Sequence, residues 1–544
     1  MSFGQAIVDG LRAAGPREVL ARGPRRLTGD ELLAMVSGAA GELEARGVRP
    51  GDAIACLNGR GLESVAGRLV AFALGCPAIQ VLPGLPVEVA AGAMRALGAT
   101  ALLYEPDRQE EAELLLAACP VPVHGPFGRM LATPGARPVT LPVTRPDELS
   151  SVTFTGGTTG ERKAVAYSHR TETAHFAAAL AMLGSGPWRL MVWPGHHLPG
   201  LMAQWTLATA GTAVLADDGE DGWEVIARER VTHVLAGPPF GFYTLTRRLP
   251  AEPARVPLLL YGGAAAVPAR TWEAAQRLGP ALMQSYGLTE AGFVTALPPA
   301  DHAYPGLLAS VGRAVPGVEL EVRDEDGAAV PVGEVGEVWV RSPQVMTGYV
   351  NDPRRTAEAL RGGWVRTGDL GRLDGGYLFL VDRVENRLPP GVHAYPIEHV
   401  LTSHPAVADA AVIALRGPDG HAVTGAVVQM NELDTDTDTD TDTDADTDTV
   451  TGTGRDALGP DASRSRSVVE AALRELVRRS LGPSCEPGHL WLVDELPRTT
   501  AGKPDKAALL ARFQPLAEER AASAPNSAGA AGRAPNGGDA AGRV

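Results

Sequence analysis

Between residues 51 and 104 the chain alternates short apolar runs with helix-like segments, and this constrains the fold more than any other feature. GDAIACLNG reads as a strand, SVAGRLVAFALGC as a helix and AIQVLP as a second strand. VEVAAGAMRALG is then helical and ATALLYE extended. Such alternation requires parallel strands, because each helix carries the chain back across a sheet before the next strand begins. The pattern continues to about residue 300. From 308 to 350 the runs become short, β-rich and broken by Gly, Pro and Asp-Gly, which predicts antiparallel strands or a small barrel. A second compact unit is expected from about Asp382. VADAAVIAL and AVTGAVVQM read as two strands there, and SVVEAALRELVRRSL as an amphipathic helix.

Two stretches are expected to stay outside any core. Asp434 to Asp448 alternates Asp with Thr or Ala and holds eight aspartates and no cation. Like charges repel and nothing apolar is available to bury, so about 431–466 is expected to be disordered. The tract lacks the Gly and distal Glu that an EF-hand loop needs. The Ala/Gly/Pro-rich residues 514–544 are expected to be disordered as well. The tract accounts for about half of the net charge of −15. No basic footprint suited to nucleic acid remains. Cys56, Cys76, Cys119 and Cys485 lie far apart with no CxxC pair, which fits reduced thiols rather than a disulfide scaffold. The N-terminal MSFGQAIVDGLRAAGPR has no continuous apolar run, so no signal peptide is read, and the most apolar stretch, Leu69 to Val87, is interrupted by three prolines, so no membrane span is read; a cytoplasmic protein is expected.

Ser151 to His169 reads SVTFTGGTTGERKAVAYSH. A short apolar strand leads into Thr155-Gly156-Gly157-Thr158-Thr159-Gly160, followed by Lys163. Glycines allow close backbone approach, consecutive N–H groups make an anion nest, and threonine hydroxyls and a lysine add donors. The segment suits a polyphosphate, although it lacks the Gly-Lys-Ser/Thr of a Walker loop.

Three further motifs follow in order: QSYGLTE (Gln284–Glu290), GWVRTGD (Gly363–Asp369) and PRTTAGK (Pro497–Lys503). With the Gly/Thr loop they make the chain, over about residues 10–513, resemble the adenylate-forming superfamily of acyl-CoA synthetases, peptide-synthetase adenylation domains and firefly-type luciferases. The resemblance implies an α/β fold. A large N-terminal AMP-binding domain (1–382) would combine helix-covered parallel sheets with a small β-barrel-like part, and a small mobile α+β lid (383–513) would follow. It implies ATP and Mg²⁺ as cofactors. A small-molecule carboxylic acid would attack the α-phosphate of ATP, and the acyl-adenylate would then pass to CoA or a carrier-protein thiol.

Site roles carry over from the same resemblance. Thr155 to Gly160 and Lys163 match the loop that handles the β- and γ-phosphates. Gly262, Gly263 and Ala264 line the adenine and acyl sites. In Ser285-Tyr286-Gly287-Leu288-Thr289-Glu290, Tyr286 stacks on adenine, Thr289 contacts the α-phosphate and Glu290, with Thr158, ligates magnesium. Asp369 and Arg383 hold the ribose. His197, chosen over its neighbour His196, lies near the acyl carboxylate, and Lys503 reaches that carboxylate and the α-phosphate. Trp193, Leu198, the 237–240 stretch and Phe293 are expected around the acid.

The chain departs from the family pattern at the hinge. Asp382 to Gly391 reads DRVENRLPPG, so Leu388 or Pro389 falls where relatives carry a lysine, and two prolines stiffen the segment. Glu385 could still serve as hinge. That segment belongs to the thioester-forming arrangement of relatives. An amine acceptor, or activation of nitrite by a diazotase-like enzyme of natural-product biosynthesis, therefore stands as the alternative. An ATP-binding scaffold without catalysis is disfavoured by the joint presence of Glu290, Asp369 and Lys503.

Overall fold

The computed structural model describes the chain apart from residues 1, 131–134, 136, 156–161, 194–196, 218, 238, 265, 387, 432–459, 500–502 and 524–544. Two large sheets make up most of the first 314 residues. One has seven strands. Its core strands Ala53–Leu57, Ala78–Val81, Ala99–Tyr104, Val123–Pro126 and Leu149–Phe154 run parallel, with Ala53–Leu57 between Ala78–Val81 and Ala99–Tyr104. These strands are almost wholly buried, as expected when helices cover both faces. The predicted helix–strand alternation is therefore the real architecture. Leu62–Leu74 and Val87–Ala96 are its connecting helices.

The other sheet has nine strands, six of them parallel, including Arg189–Val192, His233–Ala236, Leu258–Gly262 and Leu282–Leu288. One continuous apolar core joins it to the first sheet, running from Ile7 and Leu11 through Ile54, Leu69 and Trp205 to Phe293. In open parallel sheets ligands sit beyond the carboxyl ends of the strands. Here those ends carry Thr155, Trp193, Gly262 and Ser285.

The β-rich segment expected after residue 308 is a five-stranded antiparallel sheet that includes Gly336–Arg341, Trp364–Asp374 and Tyr377–Arg383. Beyond it, Val407–Arg416 and Ala422–Met430 pair antiparallel, and His489–Val493 joins them in parallel. Helices Ala394–Thr402 and Pro460–Leu481 pack on this small sheet through Ile397, Leu401, Leu473 and Val477.

Two expectations of disorder need correction. The stretch 431–466 overlaps helix Pro460–Leu481, which begins at Pro460. Proline is favoured at the first helical position. The Thr/Asp tract itself lies outside the described residues. The tail was expected from residue 514, yet helix Lys506–Ser523 runs nine residues past that point. Leu509, Phe513 and Ala517 recur every fourth residue and are buried against Trp491 and Ile413. Gln514 also exchanges hydrogen bonds with the backbone of Arg416. The tail's composition hid more than two further turns of amphipathic helix.

Among the described residues no helix is long and apolar enough to cross a membrane. All four cysteines are free, with Cys56, Cys76 and Cys119 buried.

Candidate active site

A cleft of about 1770 Å³ opens between the large sheets, the antiparallel sheet and the C-terminal unit. Every described residue that the sequence nominated lines it: Thr155, Lys163, His197, Gly262, Gly263, Ala264, Ser285, Tyr286, Gly287, Thr289, Glu290, Asp369, Arg383 and Lys503. Gly156, Gly157, Thr158, Thr159 and Gly160 lie outside the described residues, as does His196.

The end of the cleft where the ribose is expected is built by strand register. Asp369 and Arg383 face each other across the antiparallel pair Trp364–Asp374 and Tyr377–Arg383. Arg383 Nη1 lies 3.1 Å from Asp369 Oδ1, and the Tyr286 hydroxyl donates to Oδ2 at 2.6 Å. Asp369 is only 5% exposed. Burial pushes its pKa up, while Arg383, the Tyr286 hydroxyl and Lys503 pull it down. Its turn is held from behind. Glu337 accepts from Gly368 N at 3.2 Å and makes a two-pronged pair with Arg366, and Thr367 Oγ1 accepts from Asp369 N. Gly368 has φ of +70°, which a side chain would resist.

The end where the phosphates are expected joins two sheets. Lys163 leads into strand Ala164–Ser168, and its amide donates to Thr155 Oγ1 at 3.1 Å. Its Nζ lies 3.7 Å from Glu290 Oε1. Glu290 sits in the turn between Leu282–Leu288 and Gly292–Leu297, on the other large sheet. Tyr349 stands between them, donating to Glu290 Oε1 at 2.8 Å and accepting from Lys163 Nζ at 3.2 Å.

The end where the acid is expected is apolar. Trp193, Leu198, Leu201, Trp205 and Phe293 line it, and the Trp205 and Phe293 rings lie 5.8 Å apart. Gly237 lines the same region as predicted, while the side chain of Phe240 lies outside the described residues. His197 opens helix His197–Ala208, with Nδ1 2.9 Å from Thr153 Oγ1. Burial, the buried Arg68 guanidinium and His175 hold its pKa down to about 3.

Three comparisons with known proteins bear on the family of this chain. The family model for AMP-binding enzymes matches residues 11–350, and that for the AMP-binding enzyme C-terminal domain matches 396–503. The chain belongs to the AMP-binding enzyme family. It is an AMP-forming ligase of the adenylate-forming type. A medium/long-chain fatty acid–CoA ligase of Mycobacterium tuberculosis is 29% identical over 94% of this chain and 90% of its own. A feruloyl-CoA synthase of Amycolatopsis is 32% identical over 75% and 84%. Among solved structures, the amide bond synthetase McbA from Marinactinospora thermotolerans is 36% identical, with a TM-score of 0.81 over 94% of this chain and 99% of its own.

Lys503 enters the cleft of this AMP-binding enzyme from the C-terminal unit. Burial lowers its pKa, Asp369 opposes that, and Arg383 adds to it. The backbone around it is tied down, since Thr499 N donates to Lys503 O at 2.8 Å and Asp505 N to Pro497 O at 2.8 Å. The hinge is also pinned. Asp382, 2% exposed, accepts from Arg383 N, Asn386 Nδ2 and Ala394 N.

Three cleft residues escaped the sequence reading: Tyr349, Glu337 and Lys506, the last paired with Glu398 at 3.0 Å. Each acts on a partner distant in sequence or on backbone. Only the Gly348-Tyr349 pair, an isolated glycine beside an aromatic, offered any signal.

Proposed function

We propose that this enzyme joins a carboxylic acid to an amine through an acyl-adenylate, using ATP and Mg²⁺. In this reading Asp369 and Arg383 grip the ribose, and an ionised carboxylate retains lone pairs enough for two hydroxyls. Lys163 meets the β- and γ-phosphates. Glu290 would hold magnesium with phosphate oxygens and water completing the shell. A single protein carboxylate suits a hard cation that keeps its waters and shares substrate oxygens. Bound magnesium supplies neutralising charge to the phosphates.

The acid's carboxylate lies between His197 and Lys503. With a pKa near 3, His197 is neutral and hydrogen-bonds the carboxylate without ion-pairing it. The oxygen that attacks the α-phosphorus therefore keeps its nucleophilicity. Lys503 offsets the charge that develops as the new P–O bond forms and pyrophosphate leaves. The amine nitrogen then attacks the acyl carbon, AMP departs, and the amine loses one proton.

The observation that supports an amine acceptor is the 36% identity to an amide bond synthetase along nearly the whole of both chains. The chain's own hinge agrees, because Leu388-Pro389-Pro390 supplies no lysine where thioester-forming relatives carry one. A thiol acceptor, CoA or a carrier protein, is the second reading, on the likeness to the fatty acid–CoA ligase and feruloyl-CoA synthase.

The test has two stages. A panel of fatty, aryl and amino acids is screened for acid-dependent ATP–pyrophosphate exchange. The acid that works is then offered amines, CoA or nitrite, and products are read by mass spectrometry. Amide with stoichiometric AMP is the expected product. Thioester formed faster than amide would transfer the assignment to the thiol reading.

A further inference from the structure

We propose that Tyr349 is the positioning residue that sets the phosphate lysine against the magnesium acid, and so tunes the enzyme's demand for magnesium. This rests on the reading of Lys163 and Glu290 given above.

The two groups come from different sheets and make only a long ion pair directly. Lys163 follows the phosphate loop on the seven-stranded sheet, Glu290 lies in a turn of the nine-stranded sheet, and 3.7 Å separates Nζ from Oε1. Tyr349 bonds both through one oxygen, accepting from the lysine and donating to the acid. Lys163 Nζ also lies 4.8 Å from the centre of its ring, within cation–π range.

The tyrosine is itself held to both sides by backbone. Its strand Gly348–Tyr349 pairs with Ala164–Ser168 in the register Gly348 to Ala166 and Tyr349 to Val165. Thr347 N donates to Ala166 O and Val350 N to Ala164 O, both at 2.9 Å. On the other side Met346 N donates to Glu290 O at 2.9 Å. The strap Met346–Val350 thus fixes Glu290 twice, by its carbonyl and by its carboxylate. Tyr167, from the same paired strand, donates to Thr289 O at 2.6 Å and holds the neighbouring residue. Thr356 Oγ1 accepts from Tyr349 N at 2.9 Å, and a side chain on Gly348 would collide with Thr356. The ring has little freedom to leave, since it is only 9% exposed.

Glu290 Oε1 already carries a hydrogen bond that fixes where the other oxygen points. Without the hydroxyl, the carboxylate is free to fold onto Lys163, and a metal must compete with that ammonium. The expected consequence is a weaker hold on magnesium at an otherwise intact nucleotide site.

The test is the Mg²⁺ dependence of ATP binding to the full chain, measured by titration calorimetry. Tyr349→Phe keeps the ring under Lys163 and removes only the hydroxyl. It should raise the Mg²⁺ concentration for half-maximal ATP affinity about tenfold. In a Glu290→Gln background the same change should shift it less than twofold, because the hydroxyl acts through that acid. Equal shifts in both backgrounds, or none in Tyr349→Phe, overturn the assignment while leaving the nucleotide site standing. Failure of the wild type to bind Mg·ATP overturns the parent reading as well. Thermal melting checks that each variant is folded.

Discussion

The two ends of the cleft hold the groups proposed for the nucleotide in opposite ways. At the sugar end an acid and a base touch directly, 3.1 Å apart, because antiparallel register sets Asp369 opposite Arg383. A tyrosine hydroxyl and a bonded turn support the buried carboxylate. At the end proposed for the phosphates acid and base make a longer ion pair, 3.7 Å apart, and one hydroxyl bonds to both. One end is assembled within a single sheet, while the other depends on the alignment of two. The end built around Asp369 is therefore the more pre-organised of the two.

Lys503 reaches the cleft from the C-terminal unit, and Asp369 is the charge that opposes its burial. Lys503→Ala should give the largest effect. ATP–pyrophosphate exchange should fall on the order of a hundred- to a thousandfold, as when one preorganised donor to developing charge is removed. The Tm should be nearly unchanged. A fall below tenfold would mean that the two ends work without the lysine that spans them.

Asp369→Asn comes next. It removes two charge-assisted contacts and leaves Arg383 facing a neutral amide. The KM for ATP should rise roughly ten- to a hundredfold. Tyr286→Phe removes only the hydrogen bond to Oδ2 and should raise the same KM about three- to tenfold. If Tyr286→Phe costs as much as Asp369→Asn, the ring's contact with the nucleotide outweighs its support of the acid. That would make the sugar end less rigid than its register implies.

Legibility in the sequence follows the same division. The alternation of strands and helices and the four ordered motifs sufficed for the fold and for the fourteen described residues that line the cleft. Motif residues are readable because each carries its own chemistry on a recognisable turn. Tyr349 and Glu337 are not, since their partners, Glu290 and Gly368, lie 59 and 31 residues away. Pairing across sheets leaves no periodic trace. The helical ends at Pro460 and Ser523 were hidden for a different reason. Their composition is low in apolar residues, and only the spacing of Leu509, Phe513 and Ala517 against Trp491 gives the C-terminal helix away.

The smallest expected effect concerns what lies beneath the phosphate end. His175, 5% exposed, has Nε2 2.9 Å from the carbonyl of Gln344. A carbonyl can only accept, so Nε2 carries the proton. Gln344 in turn bonds both backbone groups of Phe293 and precedes the strap that carries Tyr349. Burial first, and then Arg68, hold the His175 pKa down to about 4, against the hydrogen bond that raises it. Between about pH 6.5 and pH 4 the unfolded chain takes up a proton at this position and the folded one does not. The folded state is therefore penalised as pH falls through that window, by about 1.4 kcal/mol per pH unit from this histidine, and is unaffected by it above pH 7. Scanning calorimetry at pH 7 and pH 5 should record a Tm drop that is smaller in His175→Phe than in the wild type. That variant should also have the lower Tm at pH 7, because Gln344 loses its donor. An unchanged pH dependence would mean that His175 is protonated in the native state. The phosphate end would then rest on a charged imidazolium, and the strap would be anchored by an ion rather than by a neutral hydrogen bond.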